Sequence, residues 1–317
     1  MNRRRNEPKH EASAANPQLV VGIGTSSVDH LCLVTRHPRL DSKQQLLHYE
    51  VQPGGQVPTA LVALQRWGLR TAYVGVFADD PGGHLARGSL AREGVDLTAA
   101  ELRPNTTQPV SVILIDHVTG ERSVLYQPGS RLSLNGLNAA ALECLRHASA
   151  VLLDAVDLPL AVAAAREGKT SGALIVLDVD RPAPGIEELL ALSDIVITSP
   201  EFPMRLAATE NLARALRFTA SLGPWFTAAT LGPGGALAYV RGQEHFVRGY
   251  PVHAVDSTGA GDVFHAGCIY GVLLGWPPEQ TLRFAAAASA LKCRAIGGRP
   301  GIPTASEALE LSQDRRG

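Results

Sequence analysis

Four short apolar runs in the second half of the chain, each bounded by chain breakers, constrain the fold most strongly. They occupy residues 151–154, 174–178, 195–198 and 226–231. Ala-rich and Leu-rich stretches with helical spacing, such as 160–167 and 212–222, lie between them. Strands that alternate with helices require crossover connections, which produce a mostly parallel sheet covered by helices on both faces. The sequence therefore predicts an α/β fold.

The first half of the chain adds further elements. Strand patterns occupy 19–24, 46–51 and 71–77, and helical patterns occupy 57–67 and 82–93.

Two more strand patterns, 110–116 and 122–126, are separated by a short turn that contains glycine, and this arrangement is typical of a hairpin. Two helical patterns, 263–274 and 279–296, follow near the end of the chain.

The composition fits one α/β domain with a small appendage. Hydrophobic residues make up 45% of the 317 residues and charged residues 19%, which supports a large core. Residues 1–16 are polar and lack the apolar stretch of a secretory signal. We therefore predict a flexible tail over 1–16 and a folded domain over 17–317.

Charge and cysteine usage exclude several function classes. The formal net charge of -1 leaves no basic excess for a phosphate backbone, so we expect no nucleic-acid partner. The cysteines are scattered without a CxxC pair, which indicates a reduced, intracellular protein. No apolar run reaches the ~18 residues of a membrane helix. These features predict a cytoplasmic protein without a membrane span.

The most informative segment, 256–262, reads Asp-Ser-Thr-Gly-Ala-Gly-Asp and leads into an apolar helical pattern. Small residues before a helix let backbone N–H groups converge on one point, where the helix dipole adds positive charge. Such a nest suits nucleotide phosphates and the charge that develops during phosphoryl transfer. Asp262 at its mouth is placed to take a proton from an attacking hydroxyl. The alternative is that Asp262 only caps the helix.

This segment resembles the second signature of the ribokinase-like carbohydrate kinases, the PfkB family. Residues 54–60 are similar to the first signature of that family, 230–235 to its TxGxxG nucleotide loop, and 297–303 to its closing stretch. The four segments follow the order of the family, and the resemblance extends from about residue 19 to the C-terminus.

The resemblance implies a three-layer sandwich with a mostly parallel central sheet flanked by helices, plus a small β lid from about 30–52 and 110–126. It also implies phosphorylation of a hydroxymethyl group on a sugar by ATP with Mg²⁺, and a homodimer through the lid is a further expectation. Asp262 would be the general base. Its anion hole would be the backbone of the three small residues before it, Gly259, Ala260 and Gly261.

Two further sets of residues follow from the resemblance. The sugar would contact Asp29, Gly54, Gly55, Gln56 and Thr59. The nucleotide would contact Ser199, Thr230, Gly232, Gly235 and Thr258. A monovalent cation, K⁺, is a further possibility near Asp256 and Thr258, because some family members bind one beside the anion hole through carbonyl groups.

Three residues depart from the family pattern. Thr59 stands where the family usually has Asn, which bears on substrate identity. Ser199 and Phe202 replace the Asn and Glu of a motif that organises the magnesium–phosphate site, although the ketohexokinase branch also has Ser in place of Asn. Magnesium would then be held mainly by phosphates and water.

Several alternatives accompany these predictions. Residues 22–29 are similar to a dinucleotide fingerprint, but Ser27 holds the third glycine position and no acidic residue ends a second strand. His265, one helical turn beyond Asp262, either packs against the sheet, which we favour, or tunes the base.

Nucleoside kinase and a non-catalytic sugar- or nucleotide-binding regulator are the alternative functions. A phosphosugar kinase is disfavoured, because the lid segments lack a dense basic cluster.

Overall fold

A large mostly parallel sheet with helices on both faces forms the body of the protein. The computed structural model describes residues 18–313. The strands are β1 (Leu19–Ile23), β2 (Ser27–Val34), β3 (His48–Gly54), β4 (Arg70–Val74), β5 (Val76–Ala78), β6 (Glu101–Arg103), β7 (Val110–Asp116), β8 (Arg122–Gln127), β9 (Ala150–Asp154), β10 (Leu174–Asp178), β11 (Ile195–Thr198), β12 (Phe226–Thr230), β13 (Ala236–Val240) and β14 (Gln243–Val247).

Several helices begin after a residue whose side chain caps them; α2, for example, starts after Asp80, whose Oδ1 accepts a hydrogen bond from Gly83 N at 2.7 Å. They are α1 (Gln56–Arg66), α2 (Pro81–Arg92), α3 (Ala139–Arg146), α4 (Leu158–Thr170), α5 (Ile186–Leu192), α6 (Glu201–Leu206), α7 (Leu212–Ser221), α8 (Ala260–Leu273), α9 (Pro278–Lys292) and α10 (Ala305–Gln313), with a single 3-10 turn at Gly232–Gly234.

The central sheet has eight strands in the order β14-β13-β12-β11-β10-β9-β1-β4. Neighbours from β12 through to β4 are parallel, and β13 and β14 extend the edge as an antiparallel hairpin. The chain moves from β1 to β4 in one direction and from β9 onward in the other. The strand order therefore reverses between β1 and β9, and ligands of open α/β sheets bind outside the carboxyl ends of strands at such a point.

Each face of this sheet has its own apolar core. Along β1, Val20 packs into the core shared with α1, α8 and α9, whereas Val21 and Ile23 pack into the core shared with α3, α4 and α5. This alternation reflects the two-residue period of a strand buried on both faces. The predicted ribokinase-like architecture, with helices on either side of a mostly parallel sheet, is confirmed.

The two predicted lid segments meet in a second, four-stranded sheet with the order β3-β2-β7-β8. Its inner face carries a small apolar cluster of Leu31, Ile113 and Ile115, against which Ile296 packs. The register sets Gln52, Asp29, Ser111 and Tyr126 side by side across the four strands on this same face.

The structure differs from the sequence patterns in several places. The predicted strand 71–77 is two strands, because β4 belongs to the central sheet and β5 pairs with β6 in a separate two-stranded sheet. The predicted helix 279–296 ends at Lys292, and the chain then turns toward the loop around residue 256. Strands β2, β6, β13 and β14 have no counterpart among the predicted strands.

The predicted tail over 1–16 lies outside the described residues. Within 18–313, no helix is both long and apolar enough to cross a membrane.

Candidate active site

The candidate site lies along the carboxyl ends of the parallel strands. At the reversal point between β1 and β9, Asp154 Oδ2 accepts a hydrogen bond from Thr25 N at 2.7 Å. Asp178 ends β10, the next strand, and the first turn of α8 lies above the ends of β10 and β11. The carboxylates of Asp154 and Asp178 and the start of α8 therefore lie in one cleft at this end of the sheet.

The glycine loop leads into α8, whose first N–H groups have no partner within the helix, as at any helix start, although Ala260 N donates to Ser257 O at 3.2 Å. Gly259 has φ +78°, and a Cβ there would lie 2.7 Å from Gly298 Cα, so only glycine fits the turn. A Cβ at Gly261 would meet nothing within 4 Å. The space above the first turn is thus an open cradle that fits the terminal phosphates of a nucleotide.

Asp256 holds this loop in place from beneath. Its Oδ1 accepts hydrogen bonds from Thr258 N at 2.8 Å and Thr258 Oγ1 at 2.7 Å. Its Oδ2 accepts one from Gly297 N at 2.7 Å. One fully buried carboxylate therefore ties the glycine loop before α8 to the closing stretch 297–303.

Asp262 lies in the first turn of α8, half-buried at the edge of the cradle. Loss of solvent and the neighbouring Asp178 carboxylate raise the pKa of Asp262 to about 8, although His265 and Arg122 act in the opposite direction. A carboxyl group with a pKa near neutrality is suited to accept a proton in catalysis.

His265 connects Asp262's helix to the sheet. Its Nδ1 lies 2.9 Å from Gly261 O and its Nε2 lies 3.0 Å from Ile197 O. The same Nε2 is 3.5 Å from Asp178 Oδ1. The imidazole therefore packs against β11, as the sequence favoured, and also lies among the carboxylates that surround Asp262.

At the sugar end, Asp29 is buried on the inner face of the second sheet, where Ser27 Oγ donates to its Oδ1 at 3.1 Å. Burial raises the pKa of Asp29, against the effect of the Ser27 and Ser111 hydroxyls and of Arg299. A Cβ at Gly54 would lie 2.1 Å from Asp29 Oδ2. Gly54 thus provides the room that the Asp29 carboxylate occupies.

The start of α1 contributes a second polar group. Gly55 has φ +99° and places Gln56 so that its Nε2 lies 3.3 Å from Asp178 Oδ1 and 3.4 Å from Asp180 Oδ2. Thr59, one turn on, is buried, and a Cβ at Gly298 would lie 3.5 Å from its Oγ1. Gln56 is therefore at the cleft, whereas the hydroxyl of Thr59 faces the closing stretch.

The predicted nucleotide residues lie at the ends of neighbouring strands. Ser199 follows β11 and Thr230 ends β12, and these two strands pair in parallel. Gly232 and Gly235 have φ +56° and +101° and form the tight loop after β12. Thr258 is buried, and its hydroxyl donates to Asp256 Oδ1 at 2.7 Å.

The comparisons with known proteins decide the family. A model described as "pfkB family carbohydrate kinase" matches residues 17–305. The chain belongs to this family. It is therefore a carbohydrate kinase, a transferase that binds ATP, and the resemblance inferred from four motifs is confirmed.

Its relatives include several sugar kinases. A ribokinase of Haemophilus influenzae is 26% identical over 91% of this chain and 96% of its own. A fructokinase of Klebsiella pneumoniae is 28% identical over 79% of this chain and 89% of its own. The structure of Arabidopsis thaliana ribokinase complexed with ribose and ATP superposes with a TM-score of 0.79 and 25% identity, covering 94% of this chain and 99% of that one.

Sequence reasoning missed several residues of this PfkB-family site. Asp154 and Asp178 are the last residues of predicted strands, which is the available signal, but only the fold shows that they are neighbours. Burial raises the pKa of Asp154 to about 6 and that of Asp178 well above its ordinary value. At the end of β11, where the nucleotide is expected, the buried Thr198 hydroxyl has no hydrogen-bond partner within residues 18–313, and Thr198 precedes Ser199.

Two arginines were also missed as site residues. Arg122, at the start of β8, donates from Nη1 to Ser257 Oγ at 2.9 Å, which places a lid guanidinium against the anion-hole loop. Arg299 is buried and donates to Ser89 Oγ at 2.8 Å and to Gly54 O at 3.1 Å. Arg299 thereby fixes the Gly54 turn beside Asp29.

Proposed function

We propose that this kinase transfers the γ-phosphoryl group of ATP to a hydroxymethyl group of a small sugar, with Asp262 as the general base. The observation that carries the proposal is the position of Asp262: a carboxyl group with a pKa of about 8 lies in the first turn of α8, at the edge of an open cradle of backbone N–H groups. Base and anion hole are thus built from one helix terminus.

Phosphoryl transfer requires little from the protein beyond a base for the hydroxyl proton and donors for the charge on the phosphoryl group. The hydroxyl proton passes to a carboxylate oxygen of Asp262 as the sugar oxygen forms a bond to the γ-phosphorus, and the bond from phosphorus to the bridging oxygen of ADP breaks. Backbone N–H groups of Gly259, Ala260 and Gly261 receive the charge on the transferring group. Arg122, anchored on Ser257, adds positive charge on the lid side.

The sugar would lie between the second sheet and the ends of β9 and β10. The inner face presents Gln52, Asp29, Ser111 and Tyr126 in one row, and Gln56 lies across from it. Carboxylate, amide and hydroxyl groups offer both acceptors and donors, which suits a polyhydroxylated ligand. This row supports a pentose, a ketohexose or a related sugar as the substrate class.

The nucleotide would lie over the ends of β11 and β12, with its phosphates directed to the start of α8. Within the described residues, no group of three or more His, Cys, Asp or Glu side chains could hold a metal ion. We propose that Mg²⁺ arrives on the ATP phosphates and keeps several water ligands, as this ion commonly does. Bound in this way, it would neutralise charge on the phosphates.

The outer face of the second sheet supports a homodimer through the lid. The register places Tyr49, Val51 and Leu125 on this face, and all three are exposed although apolar. Exposed apolar side chains that share one face of a sheet can mark a surface of protein association. We propose that a second copy of the chain covers it.

A turnover screen tests the proposed reaction. Purified protein with MgATP is offered a panel of pentoses, ketohexoses, aldohexoses and nucleosides, and ADP and the phosphorylated product are quantified directly. We expect turnover on at least one sugar and none in Asp262→Asn above the residual level. Turnover restricted to nucleosides would replace the sugar assignment with nucleoside kinase, and binding without turnover would indicate a regulator.

A further inference from the structure

The last residue of α9, Lys292, is a cation buried inside the protein. Its side chain is 0% exposed, and its Nζ donates to Asp256 O at 2.9 Å. Among residues 18–313, no carboxylate oxygen lies within the 4.0 Å of Nζ that would make an ion pair. Burying an ammonium group without an ion-pair partner costs free energy of folding. A functional role would explain why Lys292 is buried here.

Lys292 acts on the loop that forms the anion hole. Asp256 opens that loop, and its carboxylate fixes Thr258 on one side and Gly297 on the other. Val255 N and Asp256 N both donate to Cys293 O, at 2.8 and 3.1 Å. The carbonyl of Asp256 is therefore turned toward α9 and the ammonium.

The exchangeable cation expected near Asp256 and Thr258 does not fit these residues. The carbonyl oxygen that would coordinate it already accepts a hydrogen bond from Nζ. A second cation on the same oxygen would lie close to the ammonium in surroundings of low dielectric, where like charges repel strongly. The Thr258 hydroxyl is likewise committed, because it donates to Asp256 Oδ1.

We propose that Lys292 is a built-in monovalent cation of the anion-hole loop, so that this kinase works without K⁺. Lys292 is a positioning residue: it holds the Asp256 carbonyl and adds fixed positive charge behind the start of α8. The proposal rests on the proposed phosphoryl transfer at that loop. Burial lowers the pKa of Lys292, and the Asp256 carboxylate opposes this by favouring the ammonium form.

The first test uses the unaltered protein. Initial rates with MgATP and the best sugar are measured in K⁺, Na⁺ or tetramethylammonium buffers of equal ionic strength, with ADP quantified directly so that no coupling enzyme adds its own cation requirement. We expect kcat to agree within about twofold. A tenfold or greater rise in K⁺ would overturn the proposal.

The second test removes the ammonium. We expect Lys292→Ala to lose at least tenfold in kcat in tetramethylammonium buffer and to regain most of that loss in K⁺ or ammonium, with little change in the KM for sugar. Lys292→Met, which fills the space without charge, should show the loss but not the rescue. Lys169→Ala removes an ammonium bound to Asp194 on the surface and should behave as the wild type.

The two proposals fail in different ways. An absence of sugar phosphorylation by the wild type would remove the proposed function, and the cation question would then be answered by thermal shift. MgATP should raise the melting temperature of the wild type equally with and without K⁺, whereas the Lys292→Ala shift should depend on K⁺. A K⁺-dependent shift in the wild type, or an active Lys292→Ala that no cation rescues, would contradict the role assigned to Lys292. If Lys292→Ala does not fold, the wild-type measurements decide alone.

Discussion

The imidazole Nε2 of His265 lies 3.5 Å from Oδ1 of Asp178, and this pair joins α8, the helix that carries Asp262, to the end of β10. Asp178 raises the pKa of Asp262 and His265 lowers it. The protonation state of the base is therefore a balance between two groups that also contact each other. If Asp262 only capped its helix, it would need neither Asp178 nor His265 beside it.

The first prediction separates base from cap at Asp262. Asp262→Asn keeps the size of the side chain and can still cap a helix, but it cannot take a proton at neutral pH. We expect kcat to fall by about 10²–10⁴-fold, the usual contribution of general-base assistance. Binding of ATP and sugar, measured by calorimetry, should change far less, because the anion hole is backbone. Activity within about threefold of the wild type would show that Asp262 is only a cap.

The second prediction is a pH dependence. The base must be deprotonated to act, and its pKa in the free enzyme is raised to about 8, so kcat/KM should rise with pH through about 8 and level off above it. An ordinary aspartate would have lost its proton by about pH 5 and would give a flat profile from pH 6 to 9. A stopped-time assay across this range distinguishes the two.

His265→Gln should move the same profile to higher pH. Removing the imidazole removes an influence that lowers the pKa of Asp262, whereas Asp178 still raises it. His84→Gln is a matched control, because His84 lies on the surface, 2.8 Å from Asp79. If His265→Gln lowers activity equally at every pH without shifting the profile, His265 only packs against the sheet.

The third prediction concerns Asp29 and the glycine opposite it. Asp29→Ala should raise the KM for sugar by roughly tenfold to a hundredfold, because a hydrogen bond from a sugar hydroxyl to a charged group is worth about 1.5–3 kcal/mol. Gly54→Ala should raise the same KM, since its Cβ would lie 2.1 Å from Asp29 Oδ2 and displace the carboxylate.

Combining Asp29→Ala with Gly54→Ala should add little beyond the larger single effect, because both act on one group. Gly88→Ala serves as a control in α2, where a Cβ would have only Arg92 Nη1 at 3.5 Å. Equal changes in the KM for ATP and sugar would place Asp29 outside the sugar site.

The fourth prediction concerns the outer face of the second sheet. Leu125→Asp places a charge on the exposed apolar face, at its edge strand β8, and should convert a dimer into a monomer, as measured by sedimentation equilibrium. Leu102→Asp changes an exposed leucine of the separate β5-β6 sheet and should leave the dimer intact. A wild type that sediments as a monomer at 50 μM would contradict the proposed homodimer.

Local patterns were sufficient for much of the fold. Local patterns predicted the hairpin of β7 and β8, the strands from β9 to β12 and the glycine loop before α8. Each of these features depends on residues that are neighbours in sequence. Strand β2 was missed because it pairs with β7, some 80 residues further along the chain, and its polar Asp29 and His30 hide the apolar alternation. The strand predicted at 71–77 was split because residues on either side of Gly75 pair with different sheets.

The sequence by itself identified the family, and it predicted a glycine loop followed by a helix that carries Asp262, because that loop and helix are contiguous in the chain. Only the tertiary structure brought Asp178, His265 and Arg122 around that carboxyl group, and only it set the Lys292 ammonium against the Asp256 carbonyl 36 residues away. Burial and charge act through space, and their effects on a pKa or a loop depend on distances that no sequence pattern contains.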